Sequence, residues 1–153
     1  MKALFVHDHK FPQRNGIYYN SYGFDEEFFH RYLLVFDELG IVGRDVEISL
    51  KETKNVPQIN KSIKFLNVKS FGQLRSAKVR DGIDEKIADS DYLIIRLPSI
   101  LGLYALKKAK KLKKPFLIEV VGSAWDSLWN QSISKKIVAP IMSILNKKAI
   151  SDA

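Results

Sequence analysis

A short, almost unbroken apolar run, Phe116-Leu117-Ile118-Glu119-Val120-Val121, constrains this chain more than any other stretch; Pro115 opens it and Gly122 closes it. Apolar residues at successive positions, without alternation, mark a strand covered on both faces, as in parallel sheets flanked by helices. The run is therefore expected to be a central strand. Both tryptophans, Trp125 and Trp129, follow with Asp126 just past its carboxyl end, where open parallel sheets hold their ligands. Their spacing of four suits two core anchors on one helical turn as well as a surface for stacking sugars, and Asp126 with Ser127 equally suits a helix cap.

Similar runs recur along the chain. Ala3 to His7 reads as the first strand, followed by a polar loop from His7 to Gly16 with a turn at Asn15-Gly16. The loop continues through Tyr18, Tyr19 and Tyr22 to Gly23, and long ordered loops tend to be functional. Asp25 is placed to cap a helix whose first turn holds Glu26 and Glu27 and whose apolar face is Phe28, Phe29, Tyr32, Leu33 and Phe36, ending near Gly40. Residues 41–50 and 62–68 are strand-like, and 70–89 has helical composition. Tyr92 to Leu97 is a second buried strand stopped by Pro98, after which Ser99 caps a helix reaching Leu112. An amphipathic helix with Ile133, Ile137, Ile141, Leu145 and Ala149 on one side is expected last, kinked or restarted at Pro140. This alternation predicts an α/β fold in one domain: a doubly wound sandwich with a mainly parallel sheet. Ala153 ends the chain straight after a helix, where such a fold would supply another strand, so a fragment is expected.

The size of 153 residues suits one domain with a real core. The absence of cysteine excludes disulfides, thiolate metal sites and a cysteine nucleophile, and makes a cytoplasmic setting the simple expectation. The first apolar run is too short for a signal peptide or a membrane span. A net charge of +8 favours acidic partners. Six of the eight residues from Lys107 to Lys114 are lysines, which suits either a solvated helix face or a patch for anionic lipid. The aromatics lie elsewhere, so the interleaving of basic and stacking residues used to grip single-stranded nucleic acid is missing and no nucleic acid is expected.

No G-x-G-x-x-G, P-loop, G-x-S-x-G or H-E-x-x-H motif is present. His7 and His9 would share one side of an extended strand and, with Asp8, could address a metal. An extended pair offers only two ligands, however, and no third is assignable, so lining a substrate cleft fits them better. Glu119 inside an apolar strand must be paired or protonated; it either forms an ion pair with Arg96 from the other buried strand or belongs to the cleft.

Three segments carry a resemblance: Tyr22-Gly23-Phe24-Asp25-Glu26-Glu27-Phe28 leading into Arg31-Tyr32-Leu33, then Ile94-Ile95-Arg96-Leu97-Pro98-Ser99, then Ile118-Glu119-Val120-Val121-Gly122 with Trp125-Asp126. In order and spacing, over essentially the whole chain, they resemble the amino-terminal, acceptor-side domain of family 4 glycosyltransferases of the GT-B fold. The resemblance implies a Rossmann-like domain over residues 1–153, facing a donor-binding carboxyl-terminal domain that this chain does not contain. It implies transfer of a sugar, with retention, from a nucleotide-sugar co-substrate to a glycan or lipid-linked acceptor, in cell-envelope polysaccharide biosynthesis. No cofactor and no metal requirement are expected, and a peripheral contact with the anionic inner face of the membrane is implied.

By the same resemblance, Asn15, Gly16, Tyr22, Gly23, Arg96, Gly122 and Trp125 are candidates for holding acceptor or donor phosphate and Asp126 for catalysis; His7 and Glu119, read from the strands themselves as cleft groups, are further catalytic candidates. Two departures stand out. No histidine lies near Gly122 to Asp126, where many such enzymes carry a histidine or aspartate beside the reacting sugar, and the donor domain's two glutamates separated by seven residues occur nowhere. The isolated chain is therefore expected to be inactive alone. The alternative from another class is a non-enzymatic basic α/β module that binds an acidic protein or a nucleic acid.

Overall fold

A computed structural model describes residues 1–121, 143–145, 147, 148 and 151. In chain order its elements are β1 (Lys2–Arg14), β2 (Ile17–Tyr18), α1 (Glu26–Leu33), β3 (Glu38–Glu47), β4 (Lys64–Phe65), α2 (Ala77–Asp89), β5 (Tyr92–Leu97), α3 (Ile100–Leu112) and β6 (Phe116–Val120). Five strands form a parallel sheet in the order β4-β3-β1-β5-β6, and the short β2 pairs antiparallel with β1. Side chains alternate across β1, so Ala3 and Phe5 pack with Phe29 and Tyr32 of α1 while Leu4 and Val6 pack with Ile83 and Ile87 of α2 and Leu101 and Ala105 of α3. Helices thus cover both faces, as a doubly wound, Rossmann-like sandwich requires. Local chemistry starts two of these helices. The Asp25 carboxylate accepts from the Phe28 amide at 2.8 Å, and the Ser99 hydroxyl accepts from the Gly102 amide at 2.8 Å.

Several boundaries differ from the sequence expectations. The stretch after His7 is not a loop, because β1 runs on to Arg14. Beyond an irregularity between Val6 and Lys10 it keeps pairing with β3, from Lys10 opposite Arg44 to Gln13 opposite Glu47, while its pairing with β5 stops at Val6. Within this arm only Phe11 is fully buried in the core; the residues around it are mostly polar and half-buried, so the apolar signature of a strand is missing. Its tip is a two-residue turn in which Asn15 and Gly16 take φ of 50° and 78°, the left-handed geometry that suits tight hairpins.

α1 ends at Leu33, seven residues before Gly40, since the Asp37 amide bonds to the Met1 carbonyl at 3.0 Å and starts β3 beside β1. Gly40 lies inside that strand, where a Cβ would stand 3.0 Å from Leu4 Cδ1. The strand expected at 62–68 contracts to Lys64–Phe65 plus a bridge from Val68 to Arg44. Residues 70–89 divide into a 3-10 turn at Phe71–Arg75 and α2, separated at Ser76 by extended backbone.

The largest correction concerns the stretch at 116–121. The central strand is β1; among the described residues β6 pairs only with β5, at the edge, leaving Leu117 46% and Val120 58% exposed. Of the expected last helix, residues 143–145, 147, 148 and 151 are helical. Pro140 and the tryptophan-bearing segment lie outside the described residues.

Candidate functional site at the carboxyl edge of the sheet

From β1 the chain steps outward to β3 and β4, then returns to the other side of β1 to lay down β5 and β6. That reversal sets residues 7–9 of β1, just past its last pairing with β5 at Val6, beside the carboxyl end of β5, the usual ligand position in open α/β sheets. On the α1 side of this crossover, Phe24 is a platform. The His9 ring stacks on it with centroids 4.1 Å apart and the His7 ring at 5.7 Å, since residues two apart on β1 share a face. A tight turn holds Phe24 in place, with reciprocal Ser21 and Phe24 main-chain bonds and Gly23 at φ 72°, and Ser21 Oγ lies 2.7 Å from His9 Nε2.

Two guanidinium groups complete this side. Arg96, at the end of β5, lies 5.0 Å from the ring centres of both Phe24 and Phe28; Arg31 of α1 lies 4.1 Å from Phe28 and 4.6 Å from Tyr32. Both meet Glu119, which stands opposite Arg96 in the β5–β6 register. Arg31 Nη2 donates to Glu119 Oε1 at 3.3 Å and to Oε2 at 3.5 Å, and Tyr32 Oη donates to Oε1 at 2.7 Å. Arg31 also donates to the Tyr32 hydroxyl. Arg96 Nε lies 3.3 Å from Glu119 Oε2, so the ion pair between these two strands is formed. The N–H is nevertheless not aimed at that oxygen: Arg96 Nε is buried without a hydrogen-bond partner, as is His7 Nδ1.

The electrostatics follow from this crowding. Burial first, then the Arg96 charge, lowers the pKa of both His7 and His9 to about 4, so both rings are neutral at pH 7. Burial also lowers Arg96, opposed by Glu119. Tyr32 is pushed up by burial and by its bond to Glu119, which keeps the phenol a donor.

Asp8, between the two histidines, faces the opposite side. Its carboxylate accepts from the Ser99 hydroxyl at 3.0 Å and from the Ile100 and Leu101 amides at 2.6 and 2.9 Å, filling the amino terminus of α3. Burial raises its pKa and those three bonds pull it back. A shared metal for His7, Asp8 and His9 is therefore not built, and among the described residues no three His, Asp or Glu side chains gather as a metal site.

The other candidates are distributed differently. Tyr22 is 99% exposed beside Gly23, one turn from Phe24. Asn15 and Gly16 sit at the hairpin tip, eight strand residues beyond His7 and so on the order of 25 Å away. Gly16 borders a separate hollow of about 290 Å³ with Tyr18, Asn60 and Phe65. A hollow of about 340 Å³ opens at the opposite, amino edge, between Lys2, Lys64, Lys86 and Asp89, remote from the imidazoles and guanidiniums. Gly122, Trp125 and Asp126 lie outside the described residues.

The lysine run splits by role: Lys108 pairs with Asp84, Lys114 ties the end of α2 through the Ala88 and Ser90 carbonyls at 2.6 Å each, and Lys107, Lys111 and Lys113 are exposed. Sequence reasoning did not single out Arg31 and Tyr32 as site residues. The available signal was a cation three residues after Phe28 and directly before a buried tyrosine.

The fold and this edge define a Rossmann-like α/β unit with an aromatic, cation-bearing side-chain cluster at its crossover point. The chain is similar to Protein CapJ of Staphylococcus aureus, at 36% identity over 163 residues, a match that takes in 100% of this chain and 40% of CapJ. The chain therefore spans well under half the length of that curated relative. No family model and no solved structure matches it. Among the described residues, no helix is long and apolar enough to cross a membrane.

Proposed function

We propose that this chain is the acceptor-side half of a retaining glycosyltransferase of the GT-B type, acting with a donor-binding half outside this sequence. The two halves together transfer a sugar from a nucleotide-sugar to a glycan or lipid-linked acceptor of the cell envelope. The observation that carries this reading is the convergence of His7, His9, Arg31 and Arg96 on the aromatic shelf of Phe24 and Phe28 at the sheet's crossover point. Aromatic faces and ring edges there suit a sugar, and paired guanidiniums suit the phosphates of a donor or a lipid-linked acceptor. A neutral imidazole at His7 can accept a proton from an acceptor hydroxyl while the donor half holds the departing diphosphate. The similarity to a protein of which this chain spans 40% is consistent with a partner half. The exposed Lys107, Lys111 and Lys113 would bring α3 to an anionic membrane surface holding a lipid-linked acceptor.

The test is a transfer assay with radiolabelled nucleotide-sugars and polyprenyl phosphate or glycan acceptors. The chain alone should give no product, and the chain combined with a donor-binding half, fused or as a separate subunit, should give product that His7→Ala lowers at least about tenfold, the usual scale for losing a proton acceptor. Full turnover by the chain alone would overturn the half-enzyme reading. Steeply salt-dependent binding of RNA or duplex DNA, with no transfer by the combined halves, would favour the basic binding module instead.

A further inference from the structure

We propose that Glu119 is an internal counter-ion occupying a phosphoryl-anion site made by Arg31 and Arg96, and that a phosphorylated ligand enters by displacing it. The inference deepens the proposed function by giving the Arg31–Arg96 cluster its ligand class, and it rests on that reading only for the presence of a phosphorylated substrate.

Charge count comes first. Two guanidiniums face Glu119, and among the described residues no other carboxylate forms an ion pair with either. The neighbouring imidazoles are neutral near pH 7. The cluster so described keeps one positive charge in excess. Geometry comes second. Charge-assisted N–H to carboxylate bonds are usually about 2.7–2.9 Å. Arg31 reaches Glu119 at 3.3 and 3.5 Å, and Arg96 Nε at 3.3 Å points elsewhere, buried and without an acceptor. Only the Tyr32 hydroxyl makes a short bond to Glu119, at 2.7 Å.

A planar two-oxygen carboxylate thus serves both guanidiniums poorly. A tetrahedral phosphoryl group presents three oxygens in different directions and can satisfy both. The guanidiniums are already oriented for it, each lying against the Phe28 ring, so little side-chain freedom is lost on binding. Access differs between the two: Arg31 is 49% exposed and Arg96 17%, so an incoming anion meets Arg31 first and reaches Arg96 by replacing Glu119.

The test is calorimetric titration of the whole chain with two probes, inorganic pyrophosphate in solution and farnesyl phosphate in neutral detergent micelles. Glu119→Gln removes the competitor and should tighten binding of the preferred probe about tenfold, equivalent to about 1.4 kcal/mol. Tyr32→Phe leaves the charge unchanged and removes Glu119's one short bond; it should tighten binding about threefold, which separates displacement from a simple gain of positive charge. Arg96→Lys should weaken binding about tenfold. Glu85→Gln, the same charge change on the exposed face of α2, should leave affinity unchanged. Thermal melts of each variant confirm folding.

A preference for pyrophosphate assigns the site to a soluble, nucleotide-type phosphate, and a preference for farnesyl phosphate assigns it to a lipid-linked one; either supports the displacement. The proposal is overturned if neither probe binds the parent chain or Glu119→Gln, or if Tyr32→Phe and Glu85→Gln behave alike. No donor and no turnover enter the measurement, so failure of sugar transfer and failure of this inference are separate results.

Discussion

The two faces of β1 at residues 7–9 make opposite use of neighbouring residues. On the α3 face, the Asp8 carboxylate receives three donors from the start of the helix, and the Ser99 hydroxyl both donates to Asp8 and accepts from Gly102. Those groups have all found partners within the chain. On the α1 face, His7 and His9 lie flat on Phe24, two guanidiniums share one carboxylate, and Arg96 Nε and His7 Nδ1 have no partner. Arg44, over the Phe71 ring on the α3 side, also leaves its buried Nε without a hydrogen-bond partner, so the faces differ in where the unmatched groups stand and not in being satisfied or unsatisfied. Buried polar groups are normally satisfied, and on the α1 face Arg96 Nε is left unmatched at the sheet crossover.

The strongest way to break this contrast is to remove the platform of one face alone. Phe24→Ala deletes a buried ring that touches Phe5, Phe11, Phe28 and both histidines, and should destabilise the chain by about 3–5 kcal/mol in a urea melt. A loss below about 1 kcal/mol would mean that Phe24 is not the support of that face.

A smaller effect comes from pH. The folded pKa of about 4 for His7 and His9 lies below the unfolded value of about 6.5, so the unfolded chain binds protons first as pH falls. Their contribution is complete above pH 6.5 and is lost between there and 4, on the order of 2 kcal/mol per ring. Asp8, raised by burial, works in the opposite direction and offsets part of the loss. Replacing His9 with Gln should flatten the slope of stability against pH between 6.5 and 4.5; an unchanged slope would remove the buried, neutral imidazole from the description.

The smallest change sharpens the comparison from the other face. Asp8→Asn weakens the α3 cap and should cost about 1 kcal/mol of stability. Pyrophosphate affinity should stay the same, because Asp8 faces away from Arg31 and Arg96. A changed affinity would show the two faces to be coupled.

What could be read from the sequence were the features whose physics is local. Asp25 and Ser99 were recognisable as caps because the amides they accept from are three residues away along the chain, and Tyr92–Leu97 as a buried strand because its own side chains carry the pattern. The same reasoning named His7, Arg96 and Glu119 as site residues, and the pairing of Arg96 with Glu119, which it left as one of two readings, is formed. It took the polar continuation of β1 for a loop and the β6 run for the sheet's centre. A strand's neighbours, not its composition, decide whether it is paired and where it lies.

Tertiary structure alone brought Arg31 and Tyr32 to Glu119, across 88 and 87 residues of sequence, and Asp8 to the α3 terminus across 92. Caps and apolar runs are set by a residue's neighbours along the chain, so the sequence determines them directly. The two unlike faces of β1 exist only once the order β4-β3-β1-β5-β6 has been chosen, because that order determines which charges meet and which remain unmatched.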